Sequence, residues 1–323
     1  MTDSQARIDA RYGYSLHDLL AVEAPAAPGD FAEFWTARYR AARAVDPVAR
    51  MRASGDTGPA GTRLWDIEFT STDGLRLGGW LSLPADGQVE RGLVVGHGYG
   101  GRAAPEAEVP VERAAVLFLT ARGLPVRGEQ PGLPTRGGTH VLHGIDHRDR
   151  YVHGGCVADT WCAVSALVQL VPEAAARIDY LGGSFGGGIG ALALPWDDRI
   201  HAACLVVPSF GNHPLRVTLP CTGSGESVRL YALDHPEVLE VLRYFDAAAA
   251  AGFITIPTHV GLALADPAVP PPGQFAVHNG LAGVRERFLL TAGHLEYPGR
   301  EAEGRALLAD QRRFLSRSWG AAS

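Results

Sequence analysis

The sequence predicts an α/β protein: a mostly parallel central sheet with helices on both faces. Three observations carry that expectation. A β-hairpin over residues 64–83 is followed by short apolar runs that alternate with helical stretches. Runs such as Leu93-Val94-Val95 are continuously apolar, as strands covered on both sides are. And the run Ile178-Asp179-Tyr180-Leu181 leads through Gly182-Gly183-Ser184-Phe185-Gly186-Gly187-Gly188 into the helix-like Ile189–Leu194, a strand, a sharp turn and a helix. A chain of 323 residues, 46% of them hydrophobic, can bury a sizeable core, and it reads as one domain over 1–323.

Residues 1–60 read as an N-terminal arm and helix. The first 30 are polar with Pro25 and Pro28, a connecting arm. Asp30 then stands as N-cap to a helix bearing Phe31, Phe34, Trp35 and Tyr39, whose spacing marks a packing stripe. Gly55 to Gly61 is a loop. The hairpin joins Leu64–Thr70 to Leu75–Leu83 through Asp73-Gly74. After Leu93-Val94-Val95, Val109 to Arg122 reads as a helix and Leu124-Pro125-Val126 as a short strand. A helix over Gly155 to Val171, strands over His201–Val207, Pro257–Leu264 and Arg285–Thr291, and a final helix over Arg300–Ser318 continue the alternation. It breaks at 208–254, an insertion after the sixth strand that includes a helix from Pro236 to Ala251 and reads as a cap over the site.

Composition excludes several classes. The net charge of −6 argues against nucleic acid or an acidic membrane surface as partner. Every basic side chain but histidine is Arg; the absence of Lys excludes a lysine-based mechanism. Cys156, Cys162, Cys204 and Cys221 have no C-x-x-C spacing, which favours a reducing cytoplasm over a disulfide framework. The polar start Met1-Thr2-Asp3-Ser4 lacks the apolar stretch of a signal peptide, and no run reaches membrane-spanning length.

The G-x-S-x-G turn is where chemistry concentrates. A serine there sits in strained backbone, and Gly182 and Gly186 must lack a Cβ for the turn to close. A hydroxyl needs a base to take its proton, and the base needs a group to hold its tautomer. On such a sheet the chain order is Ser, acid, His. Asp266, just past the strand Thr258–Leu264, and His294, just past Phe288–Thr291, both fall at strand ends on the edge that bears Ser184. Asp266 could instead cap a turn before Pro267; Asp234, Asp246 and Glu296 rank below it as the acid. Oxyanion donors are expected from the N–H groups of Phe185 and Tyr99, the latter in His97-Gly98-Tyr99-Gly100-Gly101, where His97 reads as a structural hydrogen-bonder. His140, His143, His147 and His153, interleaved with Asp146 and Asp149, form no metal-binding framework and read as a polar loop near the site mouth. No metal and no cofactor are expected.

With these residues in place, the chain resembles the acetyl xylan esterase and cephalosporin-C deacetylase family of α/β-hydrolases over about residues 14–315. The likeness runs through Asp30-Phe31-Ala32-Glu33-Phe34-Trp35, the hairpin Phe69–Trp80, His97–Arg102, Arg127-Gly128-Glu129, Gly144-Ile145-Asp146, the elbow, and Gly261–Asp266 with Pro270-Pro271-Pro272 and Phe275–Asn279. The resemblance implies Ser184, Asp266 and His294 as a triad, Tyr99 and Phe185 at the oxyanion hole, and removal of small acyl groups, chiefly acetyl, from sugars or cephalosporin-like alcohols. It also implies a homo-oligomer, commonly a hexamer whose sites face an internal cavity. Three positions depart from the family: Phe185 and Glu129 stand where Gln is usual, and Leu295 separates His294 from Glu296. Phe185 should make the pocket wall more apolar, and Glu129 should bring a carboxylate near the substrate or pair with Arg127. The expected function is a serine carboxylesterase acting on a small-molecule ester. A peptidase or longer-chain acyl hydrolase on the same residues, and a non-catalytic binding protein of the same fold, are the alternatives.

Overall fold

The computed structural model describes residues 8–320; Met1-Thr2-Asp3-Ser4 lies outside them. Helices α1 (Leu16–Leu20) and α2 (Phe31–Arg43) precede the strand β1 (Arg50–Ala53) and the hairpin β2 (Thr62–Thr70) and β3 (Arg76–Pro84). Then come β4 (Arg91–Gly96), β5 (Ala114–Leu119), α3 (Gly137–His140), α4 (Val152–Leu170), β6 (Ile178–Gly183), α5 (Phe185–Ala193) and β7 (Ile200–Val206). The insertion carries α6 (His213–Arg216), α7 (Ser224–Asp234), α8 (Val238–Leu242) and α9 (Ala247–Ala251). It is followed by β8 (Thr258–Ala263), α10 (Pro271–Gly280), β9 (Arg285–Leu290) and α11 (Arg300–Gly320).

The described strands form one sheet in the order β1-β2-β3-β5-β4-β6-β7-β8-β9. Pairing is antiparallel from β1 through β3 to β5 and parallel from there to β9. All six residues of β4 and all six of β5 are buried, so these strands are covered on both faces. The two-residue period of a strand sorts their side chains. Val94, Ala115 and Leu117 join the core of α2, α4 and α5. Leu93, Val95, Val116 and Phe118 face the other way, with Trp80 and with Phe314 and Leu315 of α11. This is the α/β-hydrolase architecture.

The structure corrects several expectations. Val109–Arg122 is not a helix: Ala114–Leu119 form β5, and Leu124-Pro125-Val126 lies in the turns that follow. A doubly buried strand has no alternation to reveal it, and its run of Ala, Val, Leu and Phe fits a buried helix equally well. The helix from Pro236 to Ala251 is broken, because Asp246 is extended (φ −87°, ψ 113°) and its side chain caps α9 through Ala248 and Ala249 N–H. The expected strand count omitted β1, an edge strand with every residue exposed, so the insertion 208–254 follows the seventh strand. The N-terminal arm is more than a connector. It carries α1, closed by a capping box between Ser15 and Asp18, and Leu19 and Val22 carbonyls accept from Asn279 Nδ2 (3.1 and 2.9 Å).

Candidate active site

The turn after β6 is tight for a physical reason. Ser184 has φ 53° and ψ −113°, a conformation that L-residues adopt only when surroundings enforce it. Ser184 N–H donates to Val206 O at 2.8 Å, and Ser209 N–H donates to Ser184 O at 3.1 Å, fixing the turn to the end of β7. A Cβ at Gly182 would lie 2.5 Å from Gly186 O, and one at Gly186 would lie 2.8 Å from Gly96 C. Only glycine at both positions lets α5 start directly behind the serine. Tyr180 O–H donates to Gly186 O at 2.7 Å and braces the turn from the core.

The acid arrives from the end of β8 and the imidazole from the end of β9. Asp266 Oδ2 accepts from His294 Nδ1 at 2.8 Å, and His294 Nε2 stands 3.1 Å from Ser184 Oγ. With the Nδ1 proton given to Asp266, Nε2 is left as the acceptor for the serine hydroxyl. Asp266 is fully buried while the His294 side chain is 32% exposed, so the relay runs from the core to an accessible hydroxyl. His294 itself has φ 49°, a second strained residue in the site. Asp266 Oδ1 caps the following turn through Ala268 and Val269 N–H, each at 2.9 Å, while Oδ2 faces the imidazole. Its own N–H donates to Ala10 O at 2.8 Å, so the N-terminal arm also holds this loop.

Sequence reasoning did not single out Gln274. Fully buried, it donates to Asp266 Oδ2 (3.1 Å) and Val269 O (2.6 Å) and accepts from Ala263 N–H (2.9 Å). The only signal was a lone amide in an otherwise apolar stretch.

Gly186 N–H is spent on His97 O at 2.8 Å, whereas the N–H of Phe185, at the first position of α5, has no intrahelical acceptor. His97 makes structural hydrogen bonds: Nδ1 donates to Gly98 O (2.7 Å) and Nε2 accepts from Ala121 N–H (3.0 Å). Burial pushes its pKa down to about 4.

The Phe185 side chain does not form an open pocket wall. It is 2% exposed and packs among Tyr99, His97, His153 and Phe210. Arg127 pairs with Asp66 (2.8 Å) and Asp56 (3.2 Å), not with Glu129, and lies over the Trp80 ring at 4.0 Å. Trp80 belongs to β3, three strands from β6, so this guanidinium is held roughly 14 Å from the elbow strand. Glu129 is exposed and has no ion pair among the described residues.

Two of the four loop histidines, His140 and His153, are buried rather than at a mouth, and both meet the Tyr99 hydroxyl. Among the competing acids, Asp246 accepts from Asn212, His213, Ala248 and Ala249 N–H, and Glu296 pairs with Arg300. Among the described residues, no group of three His, Cys, Asp or Glu is placed to hold a metal ion.

A strained serine at a strand–helix elbow, with an acid and an imidazole arriving from later strand ends, defines an α/β-hydrolase. The chain belongs to the acetyl xylan esterase (AXE1) family, whose family model matches residues 16–305. Acetyl esterase Axe7A of Xylanibacter ruminicola is 24% identical over 154 residues, covering 46% of this chain and 34% of that protein. The chain thus spans about a third of the length of that curated relative. Two solved structures share the fold over 92% of this chain and 99% of theirs. They are an acetyl xylan esterase from Paenibacillus sp. R4 (24% identity, TM-score 0.77) and acetyl xylan esterase 1 from Thermoanaerobacterium sp. JW/SL YS485 (20%, 0.75).

Proposed function

We propose that the protein is a serine carboxylesterase that removes small acyl groups, chiefly acetyl, from sugar or cephalosporin-like esters. Ser184 Oγ attacks the ester carbonyl while His294 Nε2 takes its proton. Asp266 holds the imidazole by Nδ1 and stabilises its charged form. The N–H groups of Phe185 and Tyr99 receive the developing oxyanion, aided by the positive end of α5. His294 returns the proton to the departing alcohol, and water then attacks the acyl-enzyme by the same relay in reverse.

The observation that carries this reading is the unbroken relay from Ser184 Oγ through His294 to buried Asp266, with contacts of 3.1 and 2.8 Å. Membership of the acetyl xylan esterase family supports acetyl as the acyl group. All four cysteines are buried and unpaired, which supports a cytoplasmic location, and no described helix is long and apolar enough to cross a membrane. The chain is read as one catalytic domain, with 208–254 as its cap, that assembles as a homo-oligomer.

The test compares Ser184→Ala with the parent protein on p-nitrophenyl acetate. Turnover should fall by several powers of ten, leaving residual catalysis on the order of 10³ over water. Equal rates would end the proposal.

A further inference from the structure

The Tyr99 side chain is tied more firmly than a residue that contributes only its N–H requires. It lies between β4 and β5, flanked by Gly98 and Gly100, where an added Cβ would meet nothing within 4 Å. Gly98 O accepts from His97 Nδ1 (2.7 Å) and Gly101 N–H (3.1 Å), which closes the turn, and the Tyr99 side chain adds a second anchor. Its ring sits 4.4 Å, centroid to centroid, from that of Phe185, so the two residues assigned the oxyanion donors lean on each other. Its hydroxyl lies 3.1 Å from His140 Nδ1 and 2.9 Å from His153 Nε2.

The proton positions in this cluster follow from its bonds. His140 Nε2 is 2.9 Å from Arg122 O, and a carbonyl can only accept, so Nε2 carries the proton. His140 Nδ1 is then bare and accepts the Tyr99 O–H. With that proton used, His153 Nε2–H must donate to the Tyr99 oxygen. The chain therefore runs one way, from His153 to Tyr99 to His140 to the Arg122 carbonyl. Arg122 in turn is fastened to fully buried Asp159, through its N–H (2.9 Å) and its guanidinium (2.8 Å). Tyr99 is so connected to the rigid interior of the molecule. Burial holds the pKa of His140 at about 4 and that of His153 well below its ordinary value, so both imidazoles remain neutral.

We propose that His140 and His153 are positioning residues: they clamp the Tyr99 phenol so that the Tyr99 N–H is fixed before charge develops on the substrate. This rests on the esterase reading above. A preset donor stabilises an oxyanion without reorganising, whereas one on a Gly-flanked turn whose side chain has been released must first be ordered. The bland alternative is a well-packed polar core with no bearing on rate.

Tyr99→Phe keeps the ring on Phe185 and removes only the hydroxyl. On p-nitrophenyl acetate, kcat should fall roughly tenfold with KM nearly unchanged, less than the 10²–10³ loss for deleting a donor outright. His153→Gln places an amide donor near the lost Nε2–H and should retain most of kcat, whereas His153→Leu should lose it as Tyr99→Phe does. A folded Tyr99→Phe with the parent kcat would overturn the clamp. If that variant does not fold, equal kcat in the Gln and Leu variants at His153 would overturn it instead. Ser184→Ala, run alongside, separates the two levels. Turnover surviving there would sink the esterase reading, while an inactive Ser184→Ala beside an unaffected Tyr99→Phe would sink the clamp alone.

Discussion

Asp266 Oδ2 stands 2.8 Å from His294 Nδ1 and accepts Gln274 Nε2 at 3.1 Å on the same oxygen. The acid is therefore oriented by a neighbour on α10 before it orients the imidazole. Its other oxygen is committed to the turn at Ala268 and Val269. One carboxylate thus holds its own loop and meets the imidazole.

Replacing Asp266 by Asn separates these two tasks. The side-chain oxygen can still cap the turn, but the amide would donate to His294 and force the wrong tautomer. Thermal stability should fall modestly, because the amide also meets Gln274 Nε2–H donor to donor, while kcat on p-nitrophenyl acetate falls by about 10⁴. A loss of less than tenfold would mean that another group orients His294.

Gln274→Leu should act on stability first. It strips a partner from Asp266 and leaves the buried Ala263 N–H and Val269 O without theirs, a loss of roughly 1–3 kcal/mol or more. Urea titration would show it as a lower midpoint. Activity should also drop, because Asp266 Oδ2 loses one of the two partners that fix it. An unchanged midpoint would show that the pocket re-satisfies these groups.

Gly186→Ala tests whether the elbow is as tight as its contacts. The new methyl would stand 2.8 Å from Gly96 C and 2.9 Å from His97 N, backbone atoms of the central sheet that cannot swing aside. Esterase activity should be lost along with stability. A variant with parent-like turnover and melting temperature would refute the steric account of the glycine.

Stability should fall on mild acidification. His97 and His140 have folded-state pKa values lowered to about 4 by burial, against about 6.5 when unfolded. Between those values the unfolded chain binds protons that the folded one refuses, so the contribution present above pH 6.5 is lost as pH falls toward 4. Asp246 works the other way. Burial raises it to about 6, against the bonds from His213, Asn212, Ala249 and Ala248 N–H, so acidification from pH 6 to about 4 favours the folded state. At pH 5 each imidazole contributes a loss on the order of 2 kcal/mol and Asp246 offsets on the order of 1 kcal/mol. Urea midpoints at pH 7.5 and 5 would check the net sign; a midpoint unchanged or higher at pH 5 would contradict it.

Much of the site was legible because its chemistry demands particular residue types at particular places. Glycines on both sides of Ser184 announce a turn that nothing else can make. Asp266 and His294 stand out because strand ends on a parallel sheet share one edge. The fold was legible where polarity alternates or where Asp73-Gly74 fixes a turn, and illegible at Ala114–Leu119, where burial on both faces erases the pattern. The break in the helix expected over 236–251 was hidden for another reason: Asp246 works through local capping that five alanines in a row conceal.

Residue order alone determined the architecture class, the elbow and the chain order Ser184, Asp266, His294 along one sheet edge, because each follows from short-range sterics and from the direction of parallel strands. What Arg127 pairs with, where the Phe185 ring turns, and which side chains hold Asp266 and Tyr99 were decided only in three dimensions. Those choices join residues far apart in the chain, such as Ala10 to Asp266 and Tyr99 to His153, and side-chain packing selects such partners where sequence spacing carries no information.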